Sequence, residues 1–129
     1  DHHSYSHSNE GKEYQAIVNT HVEQYAYLVD RLARMQEGDG TVLDNTLVMY
    51  GSPMGDPNVH NHKRCPLLLA GHAGGTLKGG LHVKAADGTP MANAFLDVLH
   101  KTGMDDLPAF GDSTGSFDLS AVQATTSAQ

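Results

Sequence analysis

Thr46-Leu47-Val48-Met49-Tyr50-Gly51 and, after a polar loop, Pro66-Leu67-Leu68-Leu69-Ala70-Gly71 are the stretches whose reading decides the fold. Both are short apolar runs closed by glycine, and neither alternates apolar with polar residues. That pattern belongs to strands buried on both faces of an α/β sheet rather than to a half-solvated hairpin. Each strand then needs cover on two sides. Upstream, Val18, Val22, Tyr25, Val29 and Leu32 recur at steps of four and three, which predicts an amphipathic helix from about Lys12 to Gln36. Ser8 or Asn9 can cap it, Glu10 and Glu13 suit the positive end of its dipole, and Gly38 with Gly40 supplies the stop.

Downstream, residues 74–84 read as a glycine-bounded turn and a short strand. Thr89-Pro90 then fits the cap and first position of a second helix running to about Thr102. Met91, Ala94, Phe95, Val98 and Leu99 form its apolar face, Lys101 complements its last turn and Gly103 ends it. The Ala/Thr/Ser/Gln-rich tail, 120–129, is expected to be disordered, leaving 1–119 as the folded part. Two helices and two or three strands cover too little of a sheet buried on both faces. The fold class expected is therefore α/β, with an incomplete sheet that the remainder of the same protein or a partner chain completes. The chain opens without an initiator methionine, so an upstream segment is expected as well.

With 129 residues, 39% hydrophobic and 18% charged, the chain suits a small globular domain or a piece of a larger one. Eight Lys plus Arg against fifteen Asp plus Glu give a net charge of -7, and the basic residues are scattered. The electrostatic footprint of a nucleic-acid binder is missing. No apolar run approaches the roughly 20 residues of a membrane helix, so no membrane span is expected. The single Cys65 excludes an internal disulfide framework and a cysteine zinc cluster.

Nine histidines beside no tryptophan are the outlying feature. Imidazole is a metal ligand and a proton shuttle, so placement matters more than number. Asp56, His60 and His62 put one carboxylate and two imidazoles into the loop that follows the first strand. Ligands of open α/β sheets gather beyond the carboxyl ends of strands, and this donor set suits zinc, iron or manganese. In His60-Asn61-His62 the two rings point the same way if the segment is extended. A turn at Asp56 before Pro57 is the plainer reading of the same residues. His3 and His7 are spaced i, i+4 and share a face if the opening segment is helical. His21, at the rim of the first helix's apolar face, reads as a hydrogen-bonded core-edge side chain, as do His72, His82 and His100.

Other constellations carry less. The glycines around Lys78 lack P-loop spacing. Ser52 lacks the frame of a nucleophile elbow, because Pro53 follows it where an amide is needed. Cys65, beside Pro66, reads as a packed thiol.

Several of these segments together form a recognisable pattern. They are His3-x-x-Ser6-His7, the helix segment from His21 to Leu28, Gly38-Asp39-Gly40, Leu43 to Ser52, His60-Asn61-His62, and Phe110-Gly111-Asp112-Ser113-Thr114-Gly115. The pattern resembles the C-terminal part of the HXXSHH family of exported bacterial proteins over nearly the whole chain to about Leu119. One position departs, with Ser8 where that motif ends in histidine. More remotely, the order of helix, strand, metal-type loop and strand is similar to the C-terminal half of the alkaline phosphatase and sulfatase superfamily. The resemblance implies an alkaline-phosphatase-like sheet flanked by helices and a periplasmic or extracellular location. It also implies a divalent metal (zinc, manganese, iron or calcium) held near Asp56, His60 and His62, with His3 and His7 as further ligands. The activity implied is metal-dependent hydrolysis of phosphate or sulfate esters, with the nucleophile upstream. The alternative is a non-catalytic metal-binding or envelope-associated binding domain of the same fold.

Overall fold

The computed structural model describes residues 1–8 and 11–120. The described residues form a mixed α/β arrangement of four α-helices and two small antiparallel sheets, and the chain divides into two compact units, Asp1–Gly71 and His72–Gln129. Among the described residues no helix is long and apolar enough to cross a membrane.

The first unit opens with α1 (His2–Ser6), whose N-cap Asp1 accepts a hydrogen bond from the Ser4 amide at 2.9 Å. This short helix lies against α2 (Lys12–Arg34). The N-cap of α2 is Gly11, whose amide donates to the Ser8 carbonyl at 2.7 Å; of the two caps expected, Asn9 lies outside the described residues, as does Glu10. The helix ends two residues earlier than the periodicity predicts. Met35 turns extended, and β1 (Gln36–Glu37) pairs with β2 (Gly40–Thr41) around Gly38, whose φ of 57° suits the tight turn. Thr41 then caps α3 (Val42–Asn45) in a capping box with Asp44.

β3 (Val48–Gly51) and β4 (Leu67–Ala70) pair antiparallel, with Val48 opposite Ala70 and Tyr50 opposite Leu68. The expectation of strands buried on both faces is therefore corrected. No residue of either strand is fully buried, and Met49 and Leu68 are exposed. The connection explains the pairing. Residues 52–66 contain no crossover helix and double back through the Asp56–Asn61 bridge, so β4 can only return antiparallel. Val48 and Tyr50 are tied to α2, where the Tyr25 hydroxyl donates to the Val48 carbonyl at 3.1 Å and the Tyr25 and Tyr50 rings lie 5.6 Å apart.

In the second unit a 3-10 turn (Ala73–Gly75) replaces the predicted turn and strand; among the described residues no strand forms over 76–84. Gly79 and Gly80 adopt φ near +70°, a conformation incompatible with a ladder. The His72 carbonyl accepts from the Gly75 and Leu77 amides, which folds Leu77 into the interior. The last helix, α4 (Met91–Lys101), starts from Pro90 as N-cap, one residue later than predicted. Its buried positions are Ala92, Asn93, Leu96 and Asp97, whereas the predicted face of Met91, Ala94, Phe95, Val98 and Leu99 is only half-buried. The reason is polar. Asn93 exchanges hydrogen bonds with Thr114, donating to its hydroxyl and accepting from its amide, and its own carbonyl accepts from the Phe117 amide. Asp97 accepts from the Ser116 hydroxyl and the Leu119 amide. The segment 114–119 is thus pinned across the helix, over the side that carries Leu96. Ser120, the first residue of the expected tail, is ordered through Asp118; residues 121–129 lie outside the described residues.

Candidate functional site

The first unit brings together histidines from α1 and from the loop after β3. His3 and His7 have ring centroids 4.9 Å apart, because His7 continues α1 as its right-handed C-cap. His60 stands 4.8 Å from His7 and 6.2 Å from His3. All three side chains are exposed. Two imidazoles at tetrahedral angles around one ion, with Zn–N of about 2.0–2.1 Å, have centroids roughly 5 Å apart. The His3–His7 and His7–His60 pairs have that spacing, whereas His3 and His60, at 6.2 Å, stand wider. Among the described residues no group of three His, Cys, Asp or Glu side chains is arranged to hold an ion.

The loop is built to present His60. The Gly55 amide donates to the Asn61 carbonyl and the Asn61 amide to the Asp56 carbonyl, closing the narrow bridge. Asp56 Oδ1 accepts from the Asn58 amide at 2.9 Å, the expected turn before Pro57. Gly55 is sterically required, since a Cβ there would run into the Lys63 carbonyl. His60 itself has φ of 53°, a left-handed conformation that few non-glycine residues adopt. His60-Asn61-His62 is therefore not extended, and the two rings diverge. His62 Nδ1 lies 2.7 Å from the Pro53 carbonyl, which also accepts from the Cys65 thiol at 3.1 Å. Of the five predicted ligands, the structure gathers His3, His7 and His60. Asp56 braces the loop and His62 is anchored to its first residues.

His7 Nδ1 lies 3.3 Å from the Asn58 carbonyl; a carbonyl only accepts, so in the neutral ring this bond requires the Nδ1–H tautomer, with the lone pair on Nε2. The same reasoning gives His62 a free Nε2 lone pair. A ring nitrogen donating to a backbone carbonyl is the usual support behind a metal-ligating histidine.

Sequence reasoning missed the second cluster. His21 is exposed, not a core-edge residue, and its ring meets His2 edge-on at 5.2 Å, while His2 stacks on Tyr14 at 6.0 Å. Tyr14, Val18 and His21 are spaced by four and three residues, a stripe on the helix surface adjoining the apolar one, which is the signal that could have placed them together. These residues border a cavity of about 500 Å³ that also takes in His3, Tyr50 and Ser52. In the second unit, half-buried His100 follows the plain reading, with Nε2 on the Leu107 carbonyl, whereas His72, although its Nδ1 lies on the Leu77 carbonyl, is exposed.

No family model, curated protein or solved structure matches the chain.

Proposed function

We propose that this chain is the metal-holding, C-terminal part of an exported HXXSHH-type protein that hydrolyses phosphate or sulfate esters, with His3, His7 and His60 as its ligands. The observation that carries the reading is the convergence of three imidazoles from α1 and from a loop some fifty residues later. An all-imidazole set fits zinc, and also manganese or iron, and it does not fit calcium, which takes oxygen donors. Three protein ligands leave room for substrate, the arrangement of catalytic rather than structural zinc. A divalent ion held there supplies Lewis acidity toward an ester oxygen and lowers the pKa of water.

The residues of this chain have definite tasks in that scheme. His7, its Nδ1 proton committed to Asn58, offers a fixed Nε2; His60 is aimed by its left-handed backbone; and His3 is carried by α1. Met49 and Leu68, exposed on opposite faces of the β3–β4 pair, leave apolar surface that helices of the same protein or of a partner would cover in an alkaline-phosphatase-like sheet. The exposure of the trio favours a second reading, in which the same site binds metal at the cell envelope without catalysis.

Metal content of the natively purified protein, measured by inductively coupled plasma mass spectrometry, tests both. Near-stoichiometric zinc, manganese or iron in the wild type, falling at least tenfold in His60→Ala, is expected. A metal-free wild type that stays so after reconstitution overturns the assignment. Metal binding without turnover of aryl phosphates or sulfates selects the second reading.

A further inference from the structure

We infer that Asp87-Gly88 is a modification site, at which the aspartyl bond rearranges to an isoaspartyl one, and that Asp39-Gly40, the same dipeptide in the first unit, is held back from it. The two sites are matched in sequence. Each continues into threonine, as Gly38-Asp39-Gly40-Thr41 and Ala86-Asp87-Gly88-Thr89, and both aspartates are exposed. What differs is the backbone around the glycine. Gly40 is half-buried and pairs with Glu37 across a two-residue turn, the place in a hairpin where the two residues exchange both backbone hydrogen bonds. Asp44 flanks it, since a Cβ on Gly40 would stand 2.9 Å from Asp44 Oδ2. Gly88, by contrast, is exposed and belongs to no helix or strand. It is the third residue of a turn closed by the Thr89 amide on the Ala86 carbonyl at 3.1 Å, with φ of 85°.

The rearrangement needs only water and the groups of the turn itself. The Gly88 nitrogen attacks Cγ of the protonated Asp87 carboxyl; an N–C bond forms, and the amide proton and the carboxyl hydroxyl leave together as water, giving a cyclic imide. Water then opens the ring. Breaking the bond from nitrogen to Cγ restores aspartate, whereas breaking the bond from nitrogen to the Asp87 main-chain carbonyl leaves the chain running through the side chain, with a free α-carboxylate. The water released is taken up again, so composition is unchanged. Glycine suits the attack because it has no Cβ to crowd its nitrogen. The Asp–Gly peptide must rotate until that nitrogen faces the carboxyl carbon. At Asp39 this rotation breaks the pairing of Gly40 with Glu37 and disturbs Thr41, the N-cap of α3. At Asp87 it breaks one turn bond, in a stretch where residues 76–88 form no helix or strand. Exposed turns open locally at little cost, and paired strands at more.

Ageing of the intact chain tests this directly. The folded protein is incubated warm in mildly acidic buffer beside a sample in urea, and isoaspartate is read at each site by proteolysis and electron-transfer fragmentation, which marks the added main-chain carbon. In the folded chain isoaspartate at Asp87 should exceed that at Asp39 by about tenfold, the factor set by one backbone hydrogen bond that must open first. In urea the two sites should react at similar rates, because both carry Asp-Gly-Thr and neither is held by the fold. Methylation of the folded, aged chain by an isoaspartyl carboxyl methyltransferase, which esterifies the new α-carboxylate, gives a second readout. Asp87→Glu, an exposed change that keeps the charge and lengthens the ring to be closed, should remove most of that methyl acceptance. Similar rates at the two sites in the folded chain, no isoaspartate at Asp87, an excess at Asp87 that persists undiminished in urea, or full methyl acceptance in Asp87→Glu each overturns the inference.

Discussion

The two units of this chain solve the problem of burial differently. The second contains every buried residue among the described ones, namely Leu77, Ala92, Leu96, Asn93 and Asp97, around a single eleven-residue helix. The first has the longer helix, α2, and both sheets, yet none of its described side chains is fully buried. Val22, Tyr27, Leu28, Met35, Met49 and Leu68 remain exposed there. Chain length and secondary structure do not by themselves make a core. In the second unit the returning segment 114–119 closes over α4, whereas in the first β3 and β4 leave Met49 and Leu68, on opposite faces of the pair, exposed. The unit that lacks a core is the one that carries the clustered histidines.

Substitution at matched positions gives the largest test of this contrast. Leu96 is 2% exposed, so Leu96→Ala should cost about 3 kcal/mol through lost transfer energy and the cavity left behind. Val22→Ala on α2 removes a smaller, already wetted side chain and should change stability by less than about 0.5 kcal/mol. Urea unfolding followed by circular dichroism measures both. Equal losses would show that α2 is covered in solution by something that closes the first unit.

What was legible in the sequence follows the same division. Period and punctuation located α2, α4 and the two longer strands to within a residue or two, because those signals are local. Pairing direction was not local. The bulk of Val48 and Leu69 said only that the strands were apolar, while the Asp56–Asn61 bridge that turns the chain back depends on contacts inside the loop. The hydrophobic face of α4 was misplaced for a related reason. Asn93 and Asp97 look like solvent residues until Thr114, Ser116 and Leu119 arrive to satisfy them. Thr41-x-x-Asp44, by contrast, was a readable capping signature for α3 that the sequence analysis passed over. Of the site, the i, i+4 pair His3 and His7 was legible from spacing alone, and the divergence of His60 from His62 was not, since it rests on one left-handed residue.

A smaller effect sharpens the comparison inside the first unit. Burial beneath β3 raises the pKa of the Tyr25 hydroxyl above its ordinary value of 10.0, at a place where α2 is held close to the sheet. A raised folded pKa means that the neutral phenol is favoured. Its contribution is complete below pH 10 and is lost as pH rises through the folded value. Tyr25→Phe should cost about 1 kcal/mol at neutral pH by removing the hydroxyl's bond to the Val48 carbonyl, and should flatten the fall in stability above pH 10. A variant that keeps the wild-type alkaline profile would locate that titration elsewhere.

The smallest expected effect comes from the ion pair with the best geometry. Arg34 grips Asp30 with two bonds, of 2.8 and 2.7 Å, one turn apart on α2, whereas Lys101 approaches Asp97 on α4 only to 3.6 Å. Distance alone would rank the first pair higher. Exposure reverses the order, with side chains 72% and 52% exposed for Arg34 and Asp30 against 15% and 10% for Lys101 and Asp97. The Arg34 hydrogen bond holds the Asp30 carboxyl below its ordinary pKa. Any stability linked to it is therefore present above the unfolded value and lost as pH falls through the folded one. In water and at physiological salt, however, solvent and ions screen such a pair, and two long side chains lose rotamer freedom to make it. Asp30→Asn should leave the thermal midpoint unchanged at pH 7 and the acid limb of the stability curve nearly so. Asp97 differs because its carboxylate also holds the Ser116 hydroxyl and the Leu119 amide, bonds that water does not replace once the segment 114–119 lies over the helix. A clear loss in Asp30→Asn would mean that α2 is shielded from solvent along its Asp30–Arg34 face, and the contrast between an open first unit and a closed second one would fail there.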